Sequence, residues 1–123
     1  MKPERRQFIR VRTRLTTFVT LMSNGKVQRA LTRDIGGGGV CLLAETALSL
    51  GTEVKLEIQL PDREAPIASR AVVLWSRTVA PAADASEGDQ PTLETGMSFL
   101  EIDPKERALL TQYARLNAVP EMQ

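Results

Sequence analysis

Apolar and polar residues change places at a period of two along most of this chain, and at a helical spacing only near its end. The clearest stretch is Val54 to Leu60, where Val54, Leu56, Ile58 and Leu60 alternate with Lys55, Glu57 and Gln59, the pattern of a strand with one buried face. Leu15 to Met22 is rich in threonine, phenylalanine and valine and runs into Ser23, Asn24 and Gly25, which predicts a strand closed by a hairpin turn. Lys26 to Arg33 is the returning strand. Asp34-Ile35-Gly36-Gly37-Gly38-Gly39 then interrupts, because four successive glycines are not expected inside a strand, and Val40 to Leu43 resumes as a short apolar strand. After a turn at Pro61 and Asp62, Ile67 to Val79 is a β-branched and aromatic run with the length of a bent or central strand. Ala80 to Pro91, with its alanines, prolines and acids, reads as a solvated, mobile loop. Leu93 to Leu100 alternates again, with Leu93, Met97 and Phe99 on one face and Glu94 and Ser98 on the other. Gly96 within it marks a bend or the close approach of another backbone.

Asp103 offers an N-cap, Pro104 suits the first helical position and Glu106 stands where a capping partner belongs, so a helix is expected from Pro104 to Asn117. Leu109, Tyr113 and Leu116, joined by Leu110 and Ala114, form its apolar stripe. About six short strands and one terminal helix favour a small closed or nearly closed antiparallel barrel, since closure removes exposed strand edges. OB-fold and SH3-like barrels share this pattern.

Composition narrows the function classes. A chain of 123 residues supports one core, and 42% apolar with 25% charged residues is an ordinary globular mixture. The single cysteine, Cys41, forms no internal disulfide and sits among Val40, Leu42 and Leu43, which predicts a buried thiol. With no apolar run long enough to cross a bilayer and no signal-peptide core, a cytoplasmic location and no membrane insertion are expected. Histidine is absent, which removes the usual general base near neutral pH, the commonest metal ligand and the Ser-His-Asp arrangement. The carboxylates Asp34, Glu45, Asp62 and Asp103 show no paired or metal-ligand spacing, so neither catalysis nor a metal is expected. Binding of single-stranded nucleic acid would need aromatic platforms, and Phe8, Phe18, Trp75, Phe99 and Tyr113 are expected mostly in the core, which argues against DNA or RNA as a partner.

Charge is polarised instead of broadly basic. Before residue 15, six cations stand against Glu4 alone, a net +5 that leaves −4 for the remainder of a chain of formal charge +1. That asymmetry suggests one anionic partner met at one place. Two features can meet it: Arg5-Arg6-Gln7-Phe8-Ile9-Arg10, and the segment from Asp34 to Gly39. Guanidinium groups hold phosphate bidentately and stack on aromatic faces. Glycines let backbone amides approach a phosphate or base edge, and a carboxylate at Asp34 can accept the N1–H and exocyclic amine of guanine. No Gly-Lys-Ser/Thr follows the glycines and they open into a strand, so the segment is neither a Walker A loop nor a Rossmann fingerprint.

Taken in this order, the features resemble the PilZ family of bacterial cyclic di-GMP receptor domains. Its RxxxR motif matches Arg6-Gln7-Phe8-Ile9-Arg10, preceded by Arg5, and its D/NxSxxG motif matches at Asp34 and Gly39, with Gly36 in place of the serine. The likeness extends to Val73-Leu74-Trp75-Ser76-Arg77, to Gly96-Met97-Ser98-Phe99 and to the closing helix. It implies a six-stranded antiparallel split barrel with a C-terminal helix over residues 15–118, a flexible basic segment over 1–14 and a tail at 119–123. It further implies cyclic di-GMP as ligand with no other cofactor, Arg6 and Arg10 on phosphate and guanine, Arg5 beside them, Asp34 on a guanine edge and Gly39 keeping the turn open. Gly36 lacks the serine hydroxyl, a loss of about 1 kcal/mol. The implied role is an adaptor that changes conformation on binding and signals to an unidentified protein partner. The alternative is a PilZ-fold interaction module that binds no nucleotide.

Overall fold

The computed structural model describes residues 8–79 and 92–117. Arg5, Arg6, the segment Ala80 to Pro91 and the C-terminal tail lie outside these described residues. Within them the chain runs β1 (Arg10–Arg12), β2 (Thr16–Leu21), β3 (Val27–Gly36), β4 (Gly39–Ala44), β5 (Glu53–Ile58), β6 (Ile67–Val79), β7 (Thr92–Ile102) and α1 (Pro104–Asn117).

Every pairing is antiparallel. The strands follow one another as β3-β2-β5-β6-β7-β4, and β4 pairs back onto β3 to close a six-stranded barrel. β1 extends the β2 edge along the far end of β3, Arg10 opposite Gly36 and Arg12 opposite Asp34. So Arg10–Arg12, expected within a flexible basic segment, is a strand. The reason is that Val11 is only 5% exposed and fills the core while its backbone completes the β3 ladder.

Alternation drives the closure. Val54, Leu56 and Ile58 of β5, Val19 of β2, Val40 and Leu42 of β4 and Ile67, Ala71 and Val73 of β6 are buried together with Ile35, Met97 and Phe99. Each large aliphatic side chain fully withdrawn from water contributes about 1.5–3 kcal/mol. The β2–β3 hairpin turns where expected, with Gly25 at φ 74° and its N–H donating to the Leu21 carbonyl at 2.8 Å.

The glycine run is shorter as an interruption than the sequence suggests. β3 continues through Asp34, Ile35 and Gly36, β4 begins at Gly39, and only Gly37 and Gly38 form the bend between them.

The helix closes one end of the barrel through a face rotated from the expected stripe. Leu110 and Ala114 are fully buried, whereas Leu109 is partly exposed and Leu116 is 73% exposed. Tyr113 packs at the margin, its hydroxyl 3.1 Å from the Thr13 hydroxyl. Asp103 caps the helix, its Oδ1 accepting from the Lys105 N–H at 2.8 Å. Glu106 is no capping partner. It pairs with Arg63 at 3.0 Å and ties the helix to the chain just after Leu60.

Candidate functional site

Two breaks in alternation build the site. Along β3, Thr32 pairs with Leu42 but Asp34 pairs with Cys41, so Arg33 is one residue too many for its partner strand. Thr32 and Ile35, three apart, are both fully buried, which turns Arg33 and Asp34 together to the outer surface. Such bulges re-aim side chains in this way. Along β6, Val73 pairs with Met97 and Trp75 with Gly96, which makes Leu74 the extra residue and sends Leu74 and Trp75 outward together.

Between the two bulges lies a groove of about 440 Å³ on the outside of the barrel. Arg10, Arg12, Arg33 and Asp34 form one wall, Leu74 and Trp75 the other, and Cys41 and Gly96 the floor. Arg10 and Arg12 reach it because they stand two apart on β1, with Val11 between them facing inward.

Asp34 is the electrostatic centre of the first wall. It is 7% exposed, and its Oδ1 accepts from Arg10 Nε at 2.7 Å and from a terminal Arg10 nitrogen. Its Oδ2 accepts from Arg33 Nε at 2.8 Å. Burial alone would push this carboxyl up, but the hydrogen bonds and charge of Arg10, then Arg33, outweigh it and hold the group below the ordinary carboxylate range. Arg33 continues to Glu94 Oε1 at 2.9 Å, and the same oxygen accepts from Arg77 Nε at 2.9 Å. Glu94 is likewise held low, with the bonds from Arg77 and Arg33 overcoming the effect of burial. The Arg77 guanidinium lies 5.6 Å from the centroid of the Trp75 ring.

The glycines serve close approach. A Cβ on Gly36 would press on the Ile9 carbonyl oxygen and touch Arg10 Cγ at 3.1 Å, so β1 lies flush against β3 only because that position is bare. A Cβ on Gly39 would strike the Met97 carbonyl oxygen of β7. Gly96, expected to mark a bend or the close approach of another backbone, makes room for the Trp75 indole that lies over it.

Of the expected site residues, Arg10, Asp34 and Gly36 converge at one end of β3 and Gly39 stands across the bend from them. Arg5 and Arg6 lie outside the described residues. Cys41 is buried as expected, though beneath the groove, and burial pushes its thiol up. The expectation of mostly buried aromatics is corrected: Phe99 alone is buried, while Phe18 and Trp75 are 40% and 39% exposed. Phe18 faces outward on β2, and Trp75 is pushed out by the bulge at Leu74.

Sequence reasoning missed Arg12, Arg33, Trp75 and Glu94 as parts of the site. Their signal lies in the register against other strands, Thr32–Leu42 and Asp34–Cys41 on one side and Trp75–Gly96 on the other, which the local sequence does not carry.

Among the described residues, no three acidic or cysteine side chains gather to hold a metal, and no helix is long and apolar enough to cross a membrane.

Comparison with known proteins agrees with this architecture. No curated protein sequence matches the chain. Among solved structures, the Bacillus subtilis inhibitor of motility MotI/DgrA matches with TM-score 0.72 and 22% identity, covering 94% of this chain and 52% of that one. The PilZ domain of YcgR from Escherichia coli, solved with c-di-GMP, matches with TM-score 0.70 and 18% identity, covering 93% of this chain and 92% of that one. The K. pneumonia MrkH–c-di-GMP complex matches with TM-score 0.69 and 18% identity, covering 90% and 50%. The chain thus spans about half the length of MotI/DgrA and MrkH and nearly all of the YcgR domain. The sequence profile of the PilZ domain matches residues 4–116, so the chain belongs to the PilZ domain family.

Proposed function

We propose that this chain is a cyclic di-GMP receptor domain that takes the dinucleotide into the groove between the two bulges. The observation that carries the reading is the charge and shape of that groove. Its lining residues Arg10, Arg12, Arg33 and Asp34 sum to +2, which matches the two negative phosphodiesters of the ligand, and Trp75 offers a ring on the facing wall. The similarity to the YcgR PilZ domain with c-di-GMP and to the MrkH–c-di-GMP complex supports the choice of ligand.

The geometry suggests how binding becomes a signal. Asp34 already has both oxygens engaged by arginines, so accepting a guanine edge requires Arg10 to give up Oδ1. Arg10 then exchanges a carboxylate for a phosphate, keeping a charge-assisted bond throughout. Because Arg10 belongs to β1 and Ile9 rests against Gly36, that exchange shifts the start of the chain, and Arg5 and Arg6 close over the nucleotide. The altered N-terminal surface is what a protein partner reads. The domain has no catalytic role in this scheme, and it works in the cytoplasm.

Calorimetric titration with cyclic di-GMP tests the proposal. The wild-type protein gives a saturable heat, and Arg10→Ala loses it. No heat at high micromolar nucleotide would leave the interaction module that binds no nucleotide, which the bare Gly36 and the already paired Asp34 favour.

A further inference from the structure

Glu94 does not line the groove, yet the residue is only 7% exposed and its carboxylate joins the two walls. Through Oε1 it accepts from Arg33, which holds Asp34, and from Arg77, which lies over Trp75. Among the described residues no other side-chain hydrogen bond or ion pair joins the two walls, and each is a bulge, a place where the strand ladder is locally released. Glu94 sits on β7, paired with Leu43 of β4 and Arg77 of β6, between the bulged strands β3 and β6.

We infer that Glu94 is a positioning residue for the nucleotide groove, acting through Arg33 and Arg77 to set the spacing and orientation of Asp34 against Trp75. This rests on the receptor reading above. A long arginine that is clamped at both ends loses little further freedom when a ligand arrives, and a preorganised wall binds more tightly than a mobile one. Simple attraction predicts the opposite role. Glu94 is a negative charge near a groove for a dianion, so on bare Coulomb grounds its removal would strengthen binding.

The sign of one substitution therefore decides. In the whole chain, Glu94→Gln keeps the shape and removes the charge that holds both arginines. Positioning predicts that affinity for cyclic di-GMP falls about tenfold. Arg77→Ala, on an exposed residue outside the groove, weakens binding by less, and the double variant binds no worse than Glu94→Gln alone because both act through one carboxylate. Trp75, the chain's one tryptophan, gives a readout that needs no nucleotide. Its emission shifts and its quenching by acrylamide rises in Glu94→Gln and in Arg77→Ala, while circular dichroism stays that of the wild type.

Tighter binding by Glu94→Gln, additive losses in the double variant, or unchanged Trp75 emission would each overturn the inference. Failure of the wild type to bind would instead defeat the receptor reading, and the Trp75 emission of the free variants would still decide whether Glu94 fixes that wall.

Discussion

Asp34 concentrates the electrostatics of the groove in one side chain, and its behaviour with pH follows from that. In the folded chain both Asp34 and Glu94 are held below the ordinary carboxylate range: burial pushes each up, and arginine bonds pull each further down. The unfolded chain therefore takes up protons first as the pH falls. The stability these groups contribute is fully present above the ordinary carboxylate range and is lost as acid titrates through and below it. Asp34→Asn removes the Asp34 share and leaves two guanidinium groups without their carboxylate. Urea unfolding should show it less stable than the wild type at about pH 7, with the gap narrowing steadily as the pH falls through the carboxylate range and below it. A gap that stays constant would contradict the assignment.

Gly36 makes a second prediction at this scale. From the sequence its bare position looks like the loss of a motif hydroxyl, but in the fold it is the surface on which Ile9 rests. Gly36→Ser, which restores the family's residue, should destabilise the free protein by about 1–3 kcal/mol through overpacking. Thermal denaturation would fall by roughly 4 °C or more. An unchanged midpoint would show that β1 is not seated on β3.

At the scale of elements, strands and helix were legible where one face is buried and alternation is clean. Val54 to Ile58 and Ile67 to Val79 are strands because their inward residues fill one core, and Asp103-Pro104 starts the helix because it carries cap and first-turn chemistry together. What was hidden is how one extra residue rotates everything after it. Nothing local marks Arg33 or Leu74 as bulged, since the shift is defined only against Leu42–Cys41 and Gly96–Met97 on other strands. The same holds for the helix, whose apolar residues cover more than one face, so that the barrel rim selects Leu110 and Ala114 over Leu116. Leu110→Ala should cost about 2–5 kcal/mol. Leu116→Ala should stay within about 0.5 kcal/mol of wild type. Denaturant midpoints of the two variants would reverse in order if the expected stripe were the docking face.

For the whole molecule, a closed barrel gives a rigid frame with few free edges, and function is left to what hangs on its outside. Here that is a short strand carrying Arg10 and Arg12, a bulge carrying Arg33 and Asp34, and a second bulge carrying Trp75. In the proposed receptor, cations on one wall and an aromatic ring on the other would favour a flat, doubly anionic ligand, and β1 would carry occupancy toward the N-terminal segment. The most direct test is a nuclear magnetic resonance titration of the isotope-labelled chain with cyclic di-GMP. The indole N–H of Trp75 and the amides of Arg10, Arg12, Asp34 and Gly36 should shift together to saturation, leaving Leu109 and Leu116 unmoved. Shifts centred on the helix, or none at millimolar nucleotide, would contradict the account.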